Sequence, residues 1–136
     1  MVKIFVNGTF DVLHPGHINL LNTAKKFGDY LLVAIDTDTR VKSKKGNDRP
    51  FNDQNTRKYI LENIKCVDEV NFFDTDQELK DLIQKYQPDI MMVGSDWKGK
   101  DIIGSEHAKQ LIFFDRDERF STTKTIESYI DRRCLY

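Results

Sequence analysis

Apolar residues occur along this chain in short unbroken runs, and between those runs they recur at helical spacing. The first run, Val2-Lys-Ile-Phe-Val6, is β-branched and aromatic and predicts a strand. From Gly16 onward, Ile18, Leu20, Leu21, Ala24 and Phe27 fall on one helical stripe, with Gly28 as a natural stop. Tyr30 to Ile35 is continuously apolar, as expected of a strand buried on both faces. Thr37 to Asn52 then carries Lys42, Lys44, Lys45, Gly46, Arg49 and Pro50 with little to bury. It predicts a long loop, either solvated or functional.

Asn52 or Asp53 is placed to cap a second helix bearing Tyr59, Ile60, Leu61 and Ile64. Val67 to Phe73 predicts a third strand. A third helix opens at Asp74 or Asp76, carries Leu79, Leu82 and Ile83, and ends near Tyr86 ahead of Pro88. Ile90 to Val93 reads as a fourth strand, Ile102 to Ala108 as a short irregular helix and Leu111 to Phe114 as a fifth strand. Ser121 is placed to cap a last helix reaching about Arg132. Strands alternating with helices imply an α/β fold with a parallel sheet and right-handed crossovers. No repeat or linker divides residues 1–136, so one domain is expected.

Composition narrows the partners. With 32% charged residues but a net charge of −1, the chain has no global basic field to recruit nucleic acid or an anionic membrane. Any anion site must be local. Cys66 and Cys134 have neither disulfide-framework nor zinc-ligand spacing. No apolar run approaches 18 residues and no secretory pattern opens the chain, so a cytoplasmic location is expected.

Ligands of parallel sheets bind at the carboxyl ends of the strands. Four chemistry-rich segments fall there: Gly8–His17, Asp36–Asp38, Gly94–Trp97 and Arg116–Thr123. In the first, Pro15 and Gly16 shape a tight turn into a helix N-terminus, which favours anions, and His14 and His17 are potential phosphate donors. A catalytic zinc site normally needs three protein ligands, and His107, Cys66 and Cys134 lack the spacing to complete one. Only Gly8 and Gly16 are present of a dinucleotide fingerprint, and the Walker phosphate loop is absent. What remains is a phosphate site that aligns reactants and stabilises charge, with little covalent work for the protein.

Gly8-Thr-Phe-Asp-x-x-His-Pro-Gly-His17 resembles the signature of the HxGH nucleotidyltransferase superfamily, in particular its cytidylyltransferase branch. Arg116-x-Glu118-x-x-Ser121-Thr122 is similar to the Arg-Thr-Glu-Gly-Ile-Ser-Thr motif of glycerol-3-phosphate cytidylyltransferases, with Arg119 in place of the glycine. Asp96-Trp-Lys-Gly-Lys100, Arg57-Lys-x-Ile-Leu-Glu62 and Val67-Asp-Glu-Val70 resemble the same enzymes. Lys45-Gly-x-x-Arg49-Pro50 and Ile103-Gly-Ser-Glu106 look more like adenylyltransferases that make ADP-heptose.

The resemblance implies a Rossmann-like, doubly wound five-stranded parallel sheet with helices on both faces. It implies nucleotidyl transfer from CTP to a phosphorylated alcohol, with glycerol 3-phosphate first and ATP with heptose 1-phosphate as the alternative. A non-catalytic nucleotide-binding regulator is the reading from another class. His14 and His17 would contact the triphosphate. Thr9 and Phe10 would offer backbone N–H groups, Asp11 would brace the turn, and Gly16 would let a ligand approach. Lys44, in preference to Lys45, would clamp phosphates, and Arg57 would bind substrate phosphate or pyrophosphate. Asp38 and Asp96 are candidates for a nucleotide hydroxyl or base contact, and Trp97 for packing on the base or a partner. Ser121 and Thr122 would hold phosphate and Arg116 would read the base. Mg²⁺ is expected to arrive with the nucleotide, with no all-protein metal site. A homodimer is expected, with Val67–Phe73 as a candidate interface.

Overall fold

The computed structural model describes residues 1–115 together with Ser121, Thr123 and Ile126. Five strands, β1 (Lys3–Gly8), β2 (Tyr30–Asp36), β3 (Glu69–Phe73), β4 (Ile90–Gly94) and β5 (Gln110–Phe114), form one sheet in the order β3-β2-β1-β4-β5. Every pairing is parallel. Between strands run α1 (Pro15–Lys26), α2 (Asp38–Lys45), α3 (Gln54–Glu62) and α4 (Asp76–Tyr86). This is the expected Rossmann-like α/β architecture.

Side-chain alternation along the strands builds a core on each side of the sheet. Ile4, Leu31, Val33 and Ile35 pack with Leu21 and Ala24 of α1 and Leu61 of α3 on one face. Phe5, Leu32, Ala34 and Met91 pack with Leu79 and Ile83 of α4 on the other. Gly28 is required for close approach rather than for a left-handed turn, since a Cβ there would lie 2.7 Å from both the Val2 carbonyl oxygen and Ile4 Cδ1.

Several expectations are corrected. Thr37–Asn52 is not a loop throughout, because α2 occupies its first half. The Thr37 side chain caps α2 by accepting from the Arg40 N–H at 3.3 Å, and Lys42, Lys44 and Lys45 sit in the last turn, where the helix dipole favours cations. Its buried residues are Val41 and Arg40, so hydrophobic periodicity carries almost no signal there. The Arg40 guanidinium lies 5.0 Å from the centroid of the Phe73 ring and bonds the Asp76 carboxylate at 2.7 Å and the Asp74 carbonyl at 3.3 Å. The cap of α4 is Thr75, neither Asp74 nor Asp76. In place of the helix expected at Ile102–Ala108 there is one 3₁₀ turn, Ser105–His107.

Candidate active site

The chain runs outward from β1 to β3 and returns at β4 on the other side of β1, which creates a switch point. There β1 and β4 stay in register only at Ile4↔Ile90 and Phe5↔Met91, whereas β1 and β2 pair over six positions. Beyond Phe5 the carboxyl halves of β1 and β4 are not paired, and a cleft of about 510 Å³ opens where they part. Asn7, Gly8, Val93 and Gly94 form its throat.

The turn after β1 is tightly constrained. Phe10 and Val12 both have positive φ (52° and 48°), a conformation that costs a non-glycine residue roughly 1–3 kcal/mol and needs support from its surroundings. That support is visible. The Phe10 ring is buried against His17, with centroids 5.4 Å apart, and a Cβ on Gly8 would approach the same ring to 3.0 Å. Asp11, 2% exposed, accepts the backbone N–H groups of Phe51 at 2.6 Å and Asn52 at 2.9 Å. Asp11 thus ties the turn after β1 to the segment that leads into α3.

At the head of α1 the two histidines cap the helix reciprocally. His14 is the N-cap, and its Nδ1 accepts the Gly16 N–H at 3.1 Å. His17 Nδ1 accepts the His14 N–H at 3.2 Å. Both rings line the cleft and stack with centroids 3.9 Å apart. Because each Nδ1 is an acceptor, each ring carries its proton on Nε2. Two oriented N–H donors therefore stand where the helix N-terminus already favours negative charge.

Lys44 and Lys45 at the end of α2 both line the cleft, as does Arg49 beyond them. Partial desolvation, reinforced by the Arg49 guanidinium, holds the Lys45 ammonium below its ordinary value. Across the cleft lie Asp96 and the half-exposed Trp97, on a 3₁₀ turn Ser95–Trp97 that follows β4. Thr9, Gly16 and Ser121 also line it. Arg116 and Thr122 lie outside the described residues.

Arg57 and Asp38 do not reach the cleft. The Arg57 side chain is fully buried, with Nη1 bonding the carbonyls of Thr9 (3.0 Å) and Asp36 (2.9 Å). Its Nε bonds the Asn52 carbonyl at 3.0 Å and its Nη2 the Asp38 carboxylate at 2.8 Å. Arg57 fastens the β1 turn, the end of β2 and the start of α3 beneath the site. The phosphate role expected for it is corrected to a bracing one, because a buried guanidinium with these partners has little left to offer a ligand. Asp36, from the Asp36–Asp38 rim segment, lines the cleft, and so does Arg40, of which hydropathy gave no warning.

A family model described as cytidylyltransferase-like matches residues 5–128. The chain belongs to the cytidylyltransferase-like family of nucleotidyltransferases. Among curated proteins, this family member is 44% identical over 124 residues to the bifunctional protein HldE of a Nitratiruptor species, covering 91% of the chain. It is 43% identical over 131 residues to HldE of a Helicobacter pylori strain, covering 96%. The chain spans only 27% and 28% of the length of those two relatives. Among solved structures, a lipopolysaccharide core biosynthesis protein from Thermoplasma volcanium superposes with a TM-score of 0.70 at 27% identity, covering 86% of this chain and 99% of that one. A pantothenate synthetase from Thermus thermophilus shares the fold (TM-score 0.57, 14% identity, 85% of this chain and 56% of that one).

Among the described residues, no group of three or more His, Cys, Asp or Glu gathers to hold a metal ion. No helix among them is long and apolar enough to cross a membrane.

Proposed function

We propose that this cytidylyltransferase-like chain transfers an adenylyl group from ATP to a heptose 1-phosphate, giving ADP-heptose and pyrophosphate. The observation that carries the transfer reaction is the reciprocal His14–His17 cap, which fixes two imidazoles on the wall of a cleft also lined by lysines. An oxygen of the acceptor phosphate attacks the α-phosphorus, the bond to the β-phosphate breaks, and pyrophosphate leaves. The nucleophile is ionised at neutral pH, so no general base is needed. Donors fixed before the reaction stabilise the developing charge without reorganising. Mg²⁺ would enter as part of the nucleotide substrate and offset charge on the leaving pyrophosphate.

The relatives support this choice of substrates. HldE contains an ADP-heptose synthase domain, and matches of 44% and 43% identity support adenylyl transfer over the cytidylyl transfer to glycerol 3-phosphate that the sequence motifs suggest first. Lys45-Gly-x-x-Arg49-Pro50 and Ile103-Gly-Ser-Glu106 point the same way. A homodimer remains part of the proposal, with β3 at the edge of the sheet as one candidate contact.

Pyrophosphate release measured for ATP and CTP, each against heptose 1-phosphate and glycerol 3-phosphate, tests the reading. Turnover confined to ATP with heptose 1-phosphate is expected. Turnover with CTP and glycerol 3-phosphate would restore the cytidylyl reading, and none with any pair would leave a nucleotide-binding regulator.

A further inference from the structure

Three arginines of the described residues lie in or under the site, and two are committed. Arg57 is spent on three carbonyls and Asp38, and Arg40 bonds Asp74 and Asp76. Arg49 differs. It lines the cleft, and its Nε, like that of Arg40, is buried without a hydrogen-bond partner; but where Arg40 pairs with Asp36 and Asp76, Arg49 forms no ion pair among the described residues. Its backbone is nonetheless well anchored. The Asp11 carboxylate grips the N–H groups of Phe51 and Asn52, two and three residues further on. A held backbone carrying a guanidinium with no ion-pair partner among the described residues suits the binding of an anion.

We infer that Arg49 is the residue that binds the phosphate of the acceptor, with Asp11 positioning it. This rests on the proposed transfer reaction, and the charges of that reaction choose between its two anions. The triphosphate brings Mg²⁺ and meets the histidines and the α1 N-terminus. The acceptor is a phosphate monoester with no metal of its own, and it must be brought against another anion. Its terminal oxygens suit the planar guanidinium fork, which binds phosphate bidentately. Arg49 stands on the β2 flank with Lys45, whereas Trp97 and Phe114 line the β4–β5 flank and offer apolar surface to a base. An acceptor phosphate on the β2 side is therefore on the far side of the cleft from the nucleoside.

Arg49→Gln and Arg49→Lys test the assignment. With ATP and heptose 1-phosphate, Arg49→Gln should raise the KM for the sugar phosphate at least about tenfold, as expected for a lost hydrogen bond to a charged group. The KM for ATP should stay within about twofold, and Arg49→Lys should recover only part of the loss because the fork is gone. Titration of heptose 1-phosphate into the complex with a non-hydrolysable ATP analogue should show the same weakening without turnover. An unchanged sugar-phosphate affinity, or a KM for ATP that rises equally, would overturn the assignment. If Arg49→Gln fails to fold, the split between the two KM values in Arg49→Lys decides. Failure of the wild type to release pyrophosphate is a separate result and would reject the transfer reaction itself.

Discussion

His17 Nδ1 accepts the backbone N–H of His14, while His14 Nδ1 accepts that of Gly16, so each imidazole serves as a helix cap through its Nδ1. Capping and catalysis are separable by substitution. Asn is a good N-cap, and Gln at the third helical position completes the reciprocal pair. His14→Asn and His17→Gln should therefore unfold within about 1 kcal/mol of the wild type. Their turnover should fall roughly 10²–10³-fold, as for loss of one preorganised donor. Urea denaturation alongside pyrophosphate release checks both; full activity in either variant would remove the histidines from the mechanism.

Arg57 should behave in the opposite manner. Arg57→Met leaves the carbonyls of Thr9, Asp36 and Asn52 and the Asp38 carboxylate without their shared donor. A loss of about 3–5 kcal/mol in unfolding free energy is expected, the range for breaking a buried, hydrogen-bonded charge. Asp38 is part-exposed, so Asp38→Asn should cost much less. Equal stability of Arg57→Met and wild type in denaturant would contradict the bracing role.

Lys45 sets a pH limit. Desolvation and Arg49 depress its ammonium in the free protein, so it loses its proton at a lower pH than an ordinary lysine. If it binds phosphate, only the charged form does so. Nucleotide affinity should then weaken as pH rises through the free-protein value, starting below the ordinary lysine pKa. Lys45→Arg should push that limb upward, because arginine stays charged. Dissociation constants for an ATP analogue across alkaline pH are the measurement, and superimposable wild-type and variant curves would exclude Lys45. Lys44→Met, compared at neutral pH, reports whether the second lysine shares the contact.

Gly28 offers a packing test remote from the cleft. In Gly28→Ala the new Cβ meets the Val2 carbonyl, which is backbone and cannot rotate away. Thermal or urea unfolding should register about 1–3 kcal/mol of destabilisation, with transfer activity per folded molecule unchanged.

How much of this was legible beforehand differs from element to element. The runs Tyr30–Ile35 and Ile90–Val93 announced central strands because a strand buried on both faces has nowhere to place polar residues. The Gly8–His17 turn marked the cleft's candidate anion-binding segment through its glycine, proline and imidazoles. Helix α2 did not announce itself, since its inward face is Val41 and an arginine paired to the start of α4. Tyr59 on α3 is apolar by type and yet largely exposed, while Arg57, two positions earlier, is buried. Asp11 could be taken for a turn residue, but its partners lie 40 and 41 residues away.

The sequence by itself determined the alternation of strands and helices, the two-faced core and the chemistry at the head of α1. All of these rest on local spacing and on the partition of apolar side chains away from water. Only the tertiary structure decided that β1 and β4 part to open a cleft, that Arg57 turns inward as a brace, and that Arg49 is held over the cleft with an unpartnered Nε. Those outcomes depend on where a charged group finds carbonyls and carboxylates distant in the chain. Hydrophobic spacing carries no record of such partners, because it registers whether a residue prefers water and not which group will replace the water.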